Sequence, residues 1–418
     1  MLHKIDPMTP LPVVVLKPGK DVPIRAGHPW VFSEAIAEGP EGLEPGELVE
    51  VQSRDGDRLG IGTFNPLTSI RVRLITHDVR TQMSDARSAI DAQWFEGKFK
   101  SLDAWKRSRL PERTTGYRLV HAETDGIPGL IVDRYGDVFV FQLHTAGMDR
   151  LREEIVTALT RAFVPTAIVE RSDVEARKQE GLQDRPVAVH VGTIDAPIKF
   201  EEHGLTFSAD VLKGQKTGFF LDQREARRRV GQLAKDKNVL NLFSYSGAFS
   251  VHAAMGGASY VESVDASHPA LEAAQEQVRL NGMDPDDESR FAFTEADVIE
   301  YLEDPSLAQR AFELIVCDPP AFARHGSKTD EALKAYGALN AACFRLLGPG
   351  GILVTSSCSG RVDPDDFRSM LRRAAGRAGR DVRILDVLSQ PVDHAERLAF
   401  PEGRYLKTAI LEVTSVLV

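Results

Sequence analysis

The sequence predicts an α/β protein in which residues 196–418 form a parallel sheet wound with helices, preceded by a small β-barrel and a mixed α/β module. Its 418 residues exceed what one hydrophobic core serves, which points to two or three domains. From residue 239 onward, short apolar runs alternate with helical stretches, the order that implies a parallel sheet covered on both faces. Between residues 13 and 75, by contrast, strand-like pieces follow one another across Gly, Pro and Asp turns. The expected limits are 11–78 for the barrel, 79–195 for the mixed module and 196–418 for the wound sheet.

In chain order, VVVL, LVEV, LGIGTF and IRVRLI supply the barrel strands. A helix is expected over residues 84–110, where Ile90, Trp94, Phe95, Phe99, Leu102 and Trp105 recur at helical spacing and Ser84 suits an N-cap. Strands follow at LVHAE, GLIVDRY and DVFVFQL, with residues 133–136 in or beside a tight turn. A helix over 151–163 and a strand at AIVER complete the module, and the polar stretch at 172–200 reads as a linker. In the third region strands are expected at VLNLF (239–243), YVESVD (260–265), FAFTE (291–295), LIVCD (314–318) and GILVTSS (351–357), with two more around VRILDVL and YLKTAILEV.

Composition narrows the function classes. With 42% hydrophobic and 27% charged residues, the chain has the makeup of an ordinary globular protein. Its opening, MLHKIDPMTPLPVVVLKPGK, holds too short an apolar run for a signal peptide or membrane span, so a cytoplasmic location without a membrane partner is expected. Cys317, Cys343 and Cys358 are too few for a disulfide framework, and no CxxC or His/Cys spacing suggests a metal. The net charge of −10 argues against a broad electrostatic grip on nucleic acid. Basic residues do concentrate at Arg224, Arg227, Arg228, Arg229, Lys235 and Lys237, a run that reads equally as a phosphate-holding face or as solvated helix surface.

Ligands of an open α/β sheet gather at the carboxyl ends of its strands, near the topological switch point. The first strand there runs into Asn241-Leu242-Phe243-Ser244-Tyr245-Ser246-Gly247, a turn with one glycine. A dinucleotide site needs GxGxxG to bring backbone against a pyrophosphate, whereas S-adenosylmethionine carries no phosphate and needs less of that arrangement. Asp265, eighteen residues beyond Gly247 at the next strand end, is placed to take both ribose hydroxyls. Asp297, after the third strand, is placed to accept from the exocyclic amine of adenine. One such Asp alone is more often a helix cap, and the spacing of the three strand ends together weighs against that reading. The fourth strand ends in Asp318-Pro319-Pro320-Ala321-Phe322, where the prolines fix the backbone so that a carboxylate and carbonyls can face a planar base edge with an aromatic beside it. Cys358, in SSCSG directly after the fifth strand, is a nucleophile candidate. Carbon 5 of a pyrimidine is methylated after a thiolate has attacked C6, while N- or O-methylation needs no thiol. Cys317, within LIVC, and Cys343, within LNAACFRLL, read as buried small hydrophobes.

With QKTGFFLDQR, NLFSYSG, VDAS, CDPPAF and SSCSG, the C-terminal half resembles the Rossmann-like class I methyltransferases of the bacterial 23S rRNA cytosine-C5 type, the large-subunit methyltransferase I family. Upstream, HPWVFSEAI, PGELVEV and GIGTFNPLTSIRVRL resemble that family's PUA domain, and YRLVHAETDGIPGLIVDRYGD with ERSDVEARKQEGL its central domain. The resemblance covers nearly the whole chain and implies S-adenosylmethionine as cofactor and 23S rRNA as partner. By position it implies that Phe219, Phe220, Asp222, Gln223 and Arg224 line the cofactor pocket and that Ser244, Tyr245 and Gly247 form the turn under the methionine moiety. It gives Asp265 and Asp297 to ribose and adenine, Asp318 to the cytosine with Pro319, Pro320 and Phe322 beside the base, and Cys358 to the nucleophile. Many RNA cytosine-C5 methyltransferases carry a second cysteine three residues after the motif IV acid. Here Ala321 stands at that position, which leaves the base that removes the C5 proton unassigned.

Cytosine C5 in 23S rRNA is the leading target on these grounds. Methylation of a guanine N2 or adenine N6 amine would use DPPAF and leave Cys358 incidental, and uracil C5 would call on the same thiol. An RNA-binding assembly factor that keeps the fold without turnover would have no use for the intact acids and cysteine. A homodimer is left open.

Overall fold

The computed structural model describes residues 10–77, 90–322 and 329–417. They form two compact units, one built from the described residues up to 200 with 208–221 and 392–403, the other from 201–207, 222–391 and 404 onward. The proposed N-cap Ser84 lies outside the described residues.

The first unit opens with β1 (Val13–Leu16), the single turn α1 (Val22–Arg25), β2 (Trp30–Phe32), β3 (Ile36–Glu38), β4 (Glu47–Gln52), β5 (Arg58–Phe64) and β6 (Ile70–Thr76). The strands lie in one sheet in the order β2-β6-β5-β4-β1-β3. Period-two alternation turns Val14, Leu16, Val49, Val51, Val72 and Leu74 inward, each essentially without exposure. Burying each such side chain contributes roughly 1.5–3 kcal/mol.

A second sheet follows, ordered β11-β10-β9-β8-β7. It is entered through α2 (Ala92–Arg107) and built from β7 (Gly116–His121), β8 (Leu130–Tyr135), β9 (Val138–Leu143), α3 (Ala146–Arg150), α4 (Arg152–Phe163), β10 (Ala167–Glu170), α5 (Ala176–Gln179) and β11 (Ala188–Val191). Helix α2 starts later than its apolar spacing suggested, because Asp91 caps it by accepting from the Trp94 amide at 2.9 Å. The 172–200 stretch is not a linker. Its Arg177 is 1% exposed and donates to the Leu143 carbonyl at 3.0 Å and to Asp149 at 2.8 Å, while β11 pairs antiparallel with β10. Polar composition misled there because the polar groups are used inside. Asp133 likewise sits within β8, fully buried and held by Arg118 through both oxygens at 2.8 and 2.9 Å.

The hairpin β12 (Ile198–Glu202) and β13 (Leu205–Ala209) contains residues of both units. The second unit continues through α6 (Arg224–Leu233), β14 (Asn238–Leu242), α7 (Ala248–Met255), β15 (Tyr260–Asp265), α8 (His268–Leu280), β16 (Phe291–Glu295), α9 (Val298–Leu302), β17 (Leu314–Cys317), α10 (Thr329–Leu346), β18 (Ile352–Ser357), α11 (Pro364–Arg377), β19 (Arg380–Leu388) and β20 (Lys407–Val416). Its sheet is ordered β16-β15-β14-β17-β18-β20-β19. Strands β14 to β18 are parallel, and β20 runs antiparallel to both β18 and β19. Strands β17, an uninterrupted apolar run, and β18, apolar over Ile352–Val354, are buried along their whole length, as a sheet covered on both faces requires. The chain order reverses between β14 and β17, so the carboxyl ends of these two strands flank the switch point.

Two residues of the basic run around α6, Arg224 and Arg227, do not face solvent. Arg224 is fully buried and Arg227 is 2% exposed, clamping Glu202 through two nitrogens at 2.7 and 2.5 Å with His252 joining at 3.1 Å. Arg227 therefore holds β12 to the unit, and neither buried arginine is presented to solvent phosphates. Arg228 is exposed beside Glu225, and Arg229 approaches Asp386 at 3.5 Å. Among the described residues no helix is long and apolar enough to cross a membrane, and no cluster of three His, Cys, Asp or Glu side chains is arranged to hold a metal.

Candidate active site

The loop after β14 is the most constrained backbone of the second unit. Phe243, Tyr245 and Gly247 all adopt positive φ, at 56°, 46° and 71°. The first two pay left-handed strain that a β-branched residue would bear less well. Gly247 has no alternative, since a Cβ there would lie 2.6 Å from the Ala274 Cβ and 3.0 Å from its Cα in α8. The loop is tied to the next strand end by Asp265, whose Oδ2 accepts from the Tyr245 amide at 2.8 Å and whose Oδ1 accepts from the Ser267 amide at 3.0 Å. A carboxylate offers about four acceptor sites, so Asp265 retains capacity for a diol. The Ser244 hydroxyl is buried and has no hydrogen-bond partner within the protein. A buried polar group of this kind is costly unless a ligand or water meets it.

Asp297 serves as the N-cap of α9, with Oδ1 accepting from Ile299 and Glu300 amides at 2.8 and 3.2 Å, and it is exposed. The ordinary capping role is thus realised there, whatever else the carboxylate does.

Asp318 follows β17 directly, and Gln223, in the single 3₁₀ turn ahead of α6, donates to its Oδ1 at 2.9 Å. Gln223 is 3% exposed, and its Oε1 has no partner within the protein. Neighbouring Asp222, also buried, accepts from the Tyr405 hydroxyl at 2.8 Å. Pro319 is buried, Pro320 exposed, and Phe322 lies tilted on Tyr336 of α10 with ring centroids 4.8 Å apart. Phe219 and Phe220 belong to the first unit. There Phe219 packs edge-on against Phe200 at 5.0 Å, and Phe220 is covered by the Lys216 ammonium at 4.3 Å.

Cys358 comes one residue after β18 and is half-buried, whereas Cys317 and Cys343 are fully buried. The neighbouring Cys343 thiol and burial push the Cys317 thiol up, so it stays protonated and unreactive. Burial pushes the Tyr336 hydroxyl up to about 12, with the charges of Cys358 and Asp318 adding to the push, so the tyrosine sits where both are felt. Lys407 lies opposite Ser357 in the β18–β20 register and turns its ammonium, 5% exposed as a residue, onto the carbonyls of Ser359 and Val362 at 2.5 and 2.6 Å. Neither Tyr405 nor Lys407 stands out in the sequence, where YLKTAILEV reads only as a strand.

A strained one-glycine loop, an acid at the adjoining strand end and unmatched buried oxygens at Ser244 and Gln223 suit the adenosine and amino-acid groups of S-adenosylmethionine. The model of the S-adenosylmethionine-dependent methyltransferases matches residues 190–396, and that of PUA-like domains matches residues 14–77. A solved methyltransferase complexed with SAH aligns with a TM-score of 0.79 at 24% identity, covering 96% of this chain and all of that one. A SAM-dependent methyltransferase from Streptococcus mutans gives 0.78 at 23% identity over the same shares, so both share the fold. The class is that of S-adenosylmethionine-dependent methyltransferases with an N-terminal PUA-like domain. Within it, the chain is 40% identical over 402 residues to the ribosomal RNA large subunit methyltransferase I of Shewanella denitrificans, covering 96% of this chain and 99% of the relative. The protein of that name from Aliivibrio fischeri is 39% identical over 396 residues, covering 94% and 97%. The chain belongs to the ribosomal RNA large subunit methyltransferase I family.

Proposed function

We propose that this methyltransferase forms 5-methylcytosine in 23S rRNA, in the cytoplasm, through a covalent bond between Cys358 and C6 of the target base. The observation that carries this reading is Cys358 itself, half-buried at the carboxyl edge of the sheet where the Tyr336 hydroxyl feels both it and Asp318. When bound, S-adenosylmethionine supplies an electrophilic methyl group on a sulfonium and leaves as S-adenosylhomocysteine.

The thiolate Sγ attacks C6, and the C5–C6 double-bond pair moves to make C5 nucleophilic. Asp318, steadied by Gln223, accepts from the cytosine edge and so holds the ring in the plane that this attack requires. After C5 has taken the methyl group, its proton is lost to a base, the pair re-forms the double bond, and the Cys358 thiolate leaves. Cys317 is sealed inside the sheet, so it has no part in the release step. Residues 11–78 would bring the rRNA to the site through local contact, in keeping with the chain's acidic balance and the buried arginines of α6.

The test is transfer of labelled methyl from the cofactor to naked 23S rRNA, assembled large subunits and tRNA, followed by mapping of the modified nucleotide. The account expects 5-methylcytosine in 23S rRNA. A label on a guanine or adenine amine, or on uracil, would replace the cytosine reading, and no label in any RNA would favour a binding protein.

A further inference from the structure

Lys407 is a buried cation for which the fold alone gives little reason. It is the first residue of β20, which continues as Thr408, Ala409, Ile410 and Leu411, and an ammonium withdrawn from water costs several kcal/mol unless it is matched. Its ammonium donates to two backbone carbonyls of one short loop, Ser359 at 2.5 Å and Val362 at 2.6 Å, and Cys358 is the residue that enters that loop from β18. The β18–β20 register sets Lys407 opposite Ser357, immediately before the cysteine. Burial pushes the amine down to about 8, while the Cys358 and Asp363 charges act to raise it and Arg404 acts to lower it. Asp365, Arg368 and Arg372 of α11 line the same cavity, of about 810 Å³, as Lys407, and Tyr336 of α10 feels the Cys358 charge from its own side.

We propose that Lys407 is a positioning residue for Cys358, fixing the 358–362 loop through two carbonyls and supplying the positive charge that keeps the Cys358 sulfur as a thiolate. This rests on the reading of Cys358 as nucleophile for its catalytic meaning, though not for its physical test. A cation beside a thiol favours the charged form and lowers the pH at which the thiol ionises. The ammonium is present below about pH 8 and is lost as the pH rises through that value, so the help is greatest in the neutral range, where an ordinary thiol is mostly protonated. A methionine at this place would fill the space and remove both effects.

The experiment is the rate of Cys358 alkylation by iodoacetamide in the native full-length protein between pH 5 and 10, read by mass spectrometry. Cys317 and Cys343 are fully buried and serve as internal controls. The wild type is expected to alkylate with a midpoint well below about 8.5, the ordinary thiol value. Lys407→Met should raise that midpoint by about one pH unit or more and slow alkylation at pH 7 about tenfold, while Lys407→Arg keeps it close to wild type. Methyl transfer by Lys407→Met should lose kcat with little change in the KM for S-adenosylmethionine. An unchanged midpoint in Lys407→Met overturns the proposal. Should that variant fail to fold, a wild-type midpoint at or above about 8.5 overturns it alone. Methyl transfer that survives Cys358→Ala would instead refute the nucleophile reading and leave the alkylation result standing.

Discussion

Replacing Gly247 with alanine tests the loop to which we assign cofactor binding. The residue sits at φ 71°, where a side chain costs about 1–2 kcal/mol. The new Cβ would also meet Ala274 at 2.6 Å, a contact that α8 must yield to at about 1–3 kcal/mol. Together these give a loss of about 2–5 kcal/mol, and in domains of roughly 150–250 residues each kcal/mol moves the melting midpoint by about 2–4 °C. Gly247→Ala is therefore expected to melt about 4–20 °C lower by circular dichroism. Calorimetry should show S-adenosylmethionine affinity falling at least about tenfold, because the displaced loop carries Ser244 and the Tyr245 amide that Asp265 holds. A melting midpoint within about 2 °C of wild type together with unchanged affinity would refute the argument.

The other predictions concern the groups packed around this loop and sheet. Tyr405→Phe removes the hydrogen bond to buried Asp222 and is expected to weaken cofactor binding several-fold at a stability cost of about 1–3 kcal/mol, measured by calorimetry and urea unfolding. Burial pushes Glu202 up, yet Arg227 and His252 outweigh it and hold its carboxyl well below the usual range. Its stabilising contribution is therefore complete above the unfolded value near 4.3 and is lost as the pH falls toward the folded value. Glu202→Gln should cost about 3–5 kcal/mol at pH 7, with the gap to wild type narrowing from pH 5 to pH 2, and a gap independent of pH would contradict it. Because Arg224 and Arg227 are interior, Arg228→Ala with Arg229→Ala should reduce the salt slope of RNA binding by no more than about 2.

Much of the fold was legible because its signals are periodic. The wound sheet announced itself in runs such as LIVC and ILVTSS, which no amphipathic helix could carry, and each predicted strand of the second unit appears within three residues of its expected place. The errors came where polar side chains are consumed internally. Arg177 lies in a stretch that read as a linker, and Arg227 in a run that read equally as phosphate-holding or solvated, yet both are buried against carboxylates or carbonyls distant in sequence, which no local pattern encodes. The start of α2 slipped for a related reason, since apolar spacing extended past the residue whose side chain caps the helix. Of the site, the strand-end positions could be read because a parallel sheet forces ligands to its carboxyl edge. Tyr405 and Lys407 could not, because their importance comes from β20 folding back beside β18, fifty residues earlier in the chain.

Covalent trapping on RNA containing 5-fluorocytidine tests the central claim most directly, because fluorine at C5 blocks loss of the proton and strands the Cys–C6 bond. With S-adenosylmethionine present, wild-type protein is predicted to form a denaturant-resistant complex with such 23S rRNA, with the crosslinked peptide containing Cys358, and Cys358→Ala is predicted to form none. Methyl transfer to cytosine without any trapped complex, or a complex that persists in Cys358→Ala, would contradict it.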